Sequence, residues 1–232
     1  MKQCPTMTPP PLPRGLIVSC QARADNPLHG PAFMVAVAQA AWQGGAVAIR
    51  AEGLADVAAI HKAVPLPVIG LIKRDGRADG VYITPEVLDV TALAAVGADW
   101  VALDATLARA ETELRELVAA AHGAGVGVLA DLATLEDAVR AAECGVDALA
   151  TTLHGYTPGT QAEHRGVPNL DLLAQFVQQF PDVPVVAEGR FSTPAHVAAA
   201  FDAGAHAVVV GTAITNPREI TRTFAGAVPD RP

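Results

Sequence analysis

Aromatic side chains make up only 4% of the 232 residues, and cysteine occurs three times, at Cys4, Cys20 and Cys144. So few aromatics suit a stacking platform for bases poorly, and leave a core of small and branched aliphatics. No two cysteines have metal-ligand spacing, and an odd count does not read as a disulfide framework; free thiols in a reducing cytoplasm are the plain reading. Basic charge is also short. Sixteen Lys and Arg against 24 Asp and Glu give a formal net charge of −8, which argues against a nucleic-acid or membrane-surface binder. Apolar stretches such as Ala205–Ile214 fall far below the ~20 residues that span a bilayer. The proline-rich residues 1–14 have no apolar centre, so they read as neither signal peptide nor membrane anchor. Their prolines forbid a long helix and predict an extension, either an arm or disorder.

What the chain does have is apolar mass, 51% of residues, with only 17% charged, which excludes disorder. It also has a repeat: an Ala-rich helical pattern, a glycine, then a short apolar run ending in a polar residue. Ala41–Arg50, Val96–Asp104, Cys144–Thr152 and Ala203–Thr212 carry it, with a looser copy at Ala124–Asp131. The glycine fits a left-handed helix end. The runs do not alternate, as expected of strands buried on both faces. Eight runs occur: Gly15–Gln21, Ala46–Arg50, Pro67–Lys73, Trp100–Asp104, Gly125–Asp131, Ala148–Thr152, Pro184–Glu188 and Ala207–Gly211. Helical segments lie between them, clearest at Glu111–His122 with Leu114, Leu117, Val118 and Ala121 on one face. Thr134, Thr193-Pro194 and Thr84-Pro85-Glu86 read as helix starts. The pattern predicts a single (β/α)8 TIM barrel over residues 15–228. A doubly wound sheet fits less well, because the first run ends Ser19-Cys20-Gln21-Ala22 with no Gly-rich dinucleotide loop.

In such a barrel the chemistry sits at the C-terminal strand ends. The residues there are Gln21, Arg50, Lys73, Asp104, Asp131, Thr151 or Thr152, Glu188-Gly189-Arg190 and Gly211-Thr212. One charged end is an ordinary loop residue; five together (Arg50, Lys73, Asp104, Asp131, Glu188) point to a site. Lys73 and Glu188 end the third and seventh strands, which face each other across an eight-stranded barrel. Two acid/base groups on opposite faces of one carbon are what epimerisation needs. A plain Lys–Glu ion pair and a Schiff-base lysine, as in an aldolase or lyase, are the other readings. Gly189 and Gly211, with Thr193-Pro194 and Asn216-Pro217 after them, match the recurrent barrel phosphate site, where Arg190 would add charge. The long segments Arg74–Thr84 and Leu153–Val167 are candidate lids, and Tyr82 and Tyr156 lie in them. The scattered histidines form no ligand cluster, so no metal site is expected. Cys20 reads as a small buried residue.

Several strings resemble the bacterial N-acetylmannosamine-6-phosphate 2-epimerases. They are VSCQA at Val18–Ala22, GAVAIRA at Gly45–Ala51, PVIGLIKR at Pro67–Arg74, Ala130-Asp131, TTLHGYT at Thr151–Thr157, AEGR at Ala187–Arg190 and GTAIT at Gly211–Thr215. The resemblance covers about residues 15–226. It implies a cofactor-independent barrel enzyme of sialic acid breakdown that interconverts N-acetylmannosamine 6-phosphate and N-acetylglucosamine 6-phosphate. It further implies Lys73 and Glu188 as the acid/base pair, with Gln21, Arg50 and Asp131 holding the sugar; Thr152 at its strand end and Tyr156 in its loop are further sugar-side candidates, a surface tyrosine being the other reading of Tyr156. Gly189, Arg190, Gly211 and Thr212 would lie at the phosphate. Where the family usually has Arg before the last loop's proline this chain has Asn216, and Arg218 two residues on is the candidate substitute. His154 stands where Ser is common. A non-catalytic phosphosugar-binding barrel is the alternative outside enzymes. The partner expected is a small phosphorylated amino sugar, with no nucleic acid or membrane. A stripe of Ile220, Phe224 and Val228 in the last helix suits a homodimer or the core.

Overall fold

The computed structural model describes residues 9–163 and 166–229. Eight parallel strands close into one barrel in chain order. They are β1 (Gly15–Cys20), β2 (Ala48–Glu52), β3 (Val68–Leu71), β4 (Trp100–Asp104), β5 (Gly127–Asp131), β6 (Ala148–Ala150), β7 (Val185–Ala187) and β8 (Ala207–Val210). The helices are α1 (Pro31–Gln43), α2 (Leu54–Ala63), α3 (Val87–Ala95), α4 (Glu111–Gly123), α5 (Leu135–Glu143), α6 (Leu170–Gln179), α7 (Pro194–Asp202), α8 (Thr212–Thr215) and α9 (Pro217–Ala225). All eight apolar runs are strands, which is the (β/α)8 architecture expected and not a doubly wound sheet. Among the described residues no helix is long and apolar enough to cross a membrane.

The strand runs lack alternation because both faces are covered. One set packs outward on the helices, including Val18, Ile49, Val101, Leu103 and Val128. The other set fills the barrel, including Ile17, Ala48, Ile69, Leu71, Ala102 and Leu129. Alternation along a strand then fixes which residues reach the mouth. Two or four positions beyond these inward residues stand Ser19 and Gln21, Arg50 and Glu52, Lys73, Asp104 and Asp131. Leu12 joins the barrel filling at the opposite end, where the Trp100 indole donates to the Pro10 carbonyl at 3.1 Å. The segment 9–14 thereby covers the floor; residues 1–8 of the expected extension lie outside the described residues. Trp100 lies so close over β5 that a Cβ at Gly127 would sit 2.6 Å from its ring, so this position requires glycine.

Local signals set the helices. Thr134 caps α5 by accepting from Asp137 N at 3.1 Å, and Asp137 accepts in return from Thr134 N at 2.9 Å. Thr193 caps α7 with Pro194 in its first turn. Gly97 follows α3 at φ 99°, as the repeat requires. The expected start at Thr84-Pro85 is corrected: α3 begins at Val87, after Glu86. Thr84 is instead part of a hairpin, at φ 46°, donating its N–H to Ile72 O at 2.7 Å and accepting from Ile72 N at 3.2 Å.

Buried arginines hold the mouth loops. Arg109, 2% exposed, donates to the carbonyls of Asp104 (2.7 Å), Pro85 (3.0 Å) and Thr84 (3.2 Å). Arg140 on α5 donates in turn to Arg109 O at 2.8 Å and Ala105 O at 3.0 Å. This ties the β3–α3 loop to the β4–α4 loop, and both to α5. Replacing Arg109 with Met leaves three carbonyls without their donor, and is expected to lower the unfolding free energy by about 2–4 kcal/mol in urea titration. An unchanged midpoint would show that the clamp contributes nothing.

Candidate active site

The mouth of the barrel opens into one cavity of about 1520 Å³, which Gln21, Arg50, Lys73, Thr152, Glu188 and Gly211 all help to line. Its floor is an ionic cluster. Arg50 is 1% exposed and donates through Nη1 to Asp131 Oδ1 at 2.9 Å and through Nη2 to Asp131 Oδ2 at 2.6 Å. The same Nη1 reaches Glu188 Oε2 at 2.8 Å. Thr152 donates to Asp131 at 2.5 Å and lies 3.2 Å from Glu188 Oε2. Thr151, its side chain on the other face, accepts from Glu188 N at 3.1 Å and donates to Glu188 O at 2.9 Å. The strand end that carries Glu188 is therefore held from both sides. Arg50 Nε is buried and has no acceptor among the described residues.

Glu188 shares one guanidinium with Asp131, and its own burial dominates its ionisation. Burial pushes its carboxyl up to about 7; Arg50 opposes that and the Asp131 carboxylate adds to it. Burial also works against the Arg50 charge, but Asp131 and Glu188 outweigh it, and the guanidinium is held protonated above its ordinary range.

Lys73 stands on the facing side of the barrel, four strands away. It lies just past β3, bridged antiparallel to Ile83 of its own loop. Its Nζ donates to Gln21 Oε1 at 2.5 Å and lies 5.9 Å from the Tyr82 ring centroid. Burial lowers its pKa below the ordinary lysine range; Glu52 opposes this and Arg50 adds to it. Lys73 forms no ion pair with Glu188, so the simple pair is absent; its carboxylate partner is Glu52, at 3.7 Å. The sequence reading missed Glu52, although it is Arg50 plus two and so had to face inward.

The other expected residues divide. Gln21, Arg50 and Thr152 line the cavity beside Lys73 and Glu188. Asp131 is fully buried behind Arg50 and Thr152, supporting them instead of lining the cavity. Asp104 accepts from Tyr82 N (2.9 Å) and from the Thr106 N–H and hydroxyl (3.1 and 2.7 Å), fastening the β3–α3 loop. Tyr156 is 57% exposed, its ring 5.3 Å from Arg190. The Arg190 guanidinium donates to His154 O and Val167 O, both at 2.9 Å, and so binds the β6–α6 loop. Gly211 packs on β1, where a Cβ would lie 3.2 Å from that of Ser19, and Thr212 opens α8. Arg218 reaches Asp25 Oδ2 at 3.1 Å, on the neighbouring β1–α1 loop. Asn216 caps α9 and accepts from Asn26 Nδ2 at 3.3 Å. Cys20 is buried, as expected.

Fold and mouth together define the class: a barrel enzyme whose ionisable side chains are gathered at the C-terminal ends of its strands. The family model described as "Putative N-acetylmannosamine-6-phosphate epimerase" matches residues 34–230. A Clostridioides difficile (strain 630) protein named "Putative N-acetylmannosamine-6-phosphate 2-epimerase" is 43% identical over 215 residues, 92% of this chain and 95% of its own. One of the same name from Staphylococcus aureus (strain JH9) is 45% identical over 222 residues, 94% of this chain and 100% of its own. The solved N-acetylmannosamine-6-phosphate 2-epimerase from Clostridium perfringens superposes with a TM-score of 0.87 at 40% identity, covering 92% of this chain and 93% of that one. The chain belongs to the N-acetylmannosamine-6-phosphate epimerase family.

A carboxyl raised from 4.5 to about 7 binds its proton in the folded state where the unfolded chain has lost it. Folding stability contributed by that proton is full below pH 4.5 and is lost as pH rises to about 7. Thermal unfolding across this window should show the wild type losing stability relative to Glu188→Gln. Parallel curves would refute the raised carboxyl.

Proposed function

We propose that this protein interconverts N-acetylmannosamine 6-phosphate and N-acetylglucosamine 6-phosphate by moving a proton at C2. The observation that carries the reading is the placement of Lys73 and Glu188. They follow strands four apart in the closed barrel and line one cavity, and each has its ionisation pushed towards neutral pH. In the open-chain sugar the C2 proton is α to the C1 aldehyde, so its removal gives an enolate. In one direction neutral Lys73 takes the proton, and the protonated Glu188 carboxyl supplies another to the opposite face of C2. In the other direction the carboxylate is the base and the ammonium is the acid. Each turnover leaves the pair with exchanged protonation, and exchange with water resets it. No electrons are transferred, so the step requires no redox cofactor. Arg50, Gln21 or protonated Lys73 supplies the hydrogen bond that stabilises the C1 oxyanion. Asp131 holds Arg50 for this role, and Thr152 and Tyr156 lie along the sugar.

The phosphate is assigned to the loops after β7 and β8. The N–H groups of Gly189, Arg190, Thr212 and Ala213 have no main-chain acceptor among the described residues, which leaves them for phosphate oxygens. Arg190 spends its side chain on loop carbonyls; Arg218, which also lines the cavity, is assigned the place of the family arginine at 216, a phosphate there drawing it from Asp25. The wider reading is a cytoplasmic homodimer acting in sialic acid breakdown. Helix α9 supports the dimer: none of its residues is buried, Phe224 is 73% exposed, and Val228 just beyond it is 64% exposed.

Proton NMR in D2O with N-acetylmannosamine 6-phosphate should show epimerisation with deuterium entering at C2. Lys73→Ala and Glu188→Gln should each lower kcat by about 10²–10⁴-fold. Near-native turnover in either variant would overturn the assignment. Borohydride trapping of a covalent adduct at Lys73 would instead establish the Schiff-base reading, which uses the same lowered amine. Arg218→Ala should raise KM about tenfold with kcat little changed; an unchanged KM would remove Arg218 from the phosphate site.

A further inference from the structure

Lys73 is flanked on three sides. Gln21 accepts from its Nζ at 2.5 Å, and Gln21 is itself oriented by donating from Nε2 to Ser19 Oγ at 2.9 Å. The Tyr82 ring faces it from the loop at 5.9 Å. Glu52 supplies the carboxylate, at 3.7 Å. Glu188, the opposite charge across the barrel, is committed to Arg50 at 2.8 Å and does not pair with the ammonium. Neutralising Lys73 therefore falls to the last inward residue of β2. Glu52 is 29% exposed and Lys73 23%, so the pair lies at the rim of the cavity.

We propose that Glu52 is a positioning residue for Lys73: from the adjacent strand its carboxylate anchors the ammonium at the rim and stabilises the protonated form. The proposal rests on the reading of Lys73 as an acid/base group only for its kinetic consequence. Charged groups facing Lys73 are Glu52 and Arg50 from β2, Glu188 from beyond β7 and Arg23 from the β1–α1 loop. Asp56 of α2 and Tyr82 of the β3–α3 loop face Glu52 as well. Burial draws the lysine down, and Glu52 is the largest influence holding it up. Removing that negative charge favours the neutral amine, so Lys73 in Glu52→Gln should titrate at lower pH, by about one unit.

The chain has three lysines, Lys2, Lys62 and Lys73, so 13C NMR of lysine-labelled protein follows each Cε separately, with Lys73→Arg giving the assignment. The expected result is a fall of about one pH unit in the Lys73 midpoint in Glu52→Gln, restored in Glu52→Asp, with Lys62 unmoved. Glu52→Ser serves if the glutamine variant does not fold. In kcat/KM the alkaline limb is assigned to Lys73 and should move down with the midpoint. An unmoved Lys73 midpoint overturns the proposal. A midpoint that moves while the alkaline limb stays supports the proposal and instead refutes the acid/base role of Lys73.

Discussion

The buried contact between Arg50 and Asp131 is the constraint on which the mouth depends. Two charges with 1% and 0% exposure are costly to remove from water, and only good geometry offsets that cost. Here the geometry is bidentate, at 2.9 and 2.6 Å. The contact joins β2 to β5 across the barrel interior, and its spare donor capacity reaches Glu188 beyond β7. One guanidinium facing two carboxylates leaves an excess negative charge if both are ionised. Asp131 has the two-pronged contact and the Thr152 hydroxyl, whereas Glu188 meets only one nitrogen of the same guanidinium. Burial is the main cause of the raised carboxyl, and the Asp131 carboxylate on the same guanidinium adds to it against the pull of Arg50.

The facing side solves the opposite problem. Lys73 lies past the regular end of β3, where backbone pairing with β4 has ceased. Its direction is imposed by its own loop, through the bridge to Ile83. That loop is held by Asp104 at Tyr82 N and by Arg109 at the Thr84 and Pro85 carbonyls. The β6–α6 loop is held likewise by Arg190. Carbonyls at loop ends are obligatory acceptors, and a guanidinium satisfies several at fixed angles. Segments that read as candidate lids are for this reason anchored at their bases near the strand ends.

Much of this was legible in the chain. Burial on both faces makes each strand an uninterrupted apolar run, so the eight strands stood out, and the polar residue ending each run marked the mouth. That rule found Lys73 and Glu188, and it was blind to anything beyond the first polar residue. It stopped at Arg50, although β2 continues for two residues to Glu52. It counted Asp104 with the site; Asp104 does line the cavity, but its oxygens are occupied by Tyr82 N and by the Thr106 N–H and hydroxyl. It also placed the start of α3 at Thr84, because a Thr-Pro pair looks the same whether its carbonyl begins a helix or is claimed by an arginine 25 residues away. Alternation is local and survives in the sequence; loop clamps are contacts at long range, which local patterns do not encode.

The two halves of the mouth show why an acid/base pair suits this architecture. A base and an acid that act in both directions need ionisations close enough that either protonation pattern is populated near neutral pH. Isolated lysine and glutamate lie about six units apart. Burial moves the two towards each other, since it disfavours the charge on each. Each must still keep a counter-charge near, or it would be permanently neutral. Arg50 serves Glu188 and Glu52 serves Lys73, and neither counter-ion is the other member of the pair. Direct pairing of Lys73 with Glu188 would have driven their ionisations apart, fixing ammonium and carboxylate and filling the gap where the carbon must sit. Placing the counter-ions on β2, between β1 and β3, holds both charges from one side of the barrel and leaves the space between Lys73 and Glu188 for the substrate.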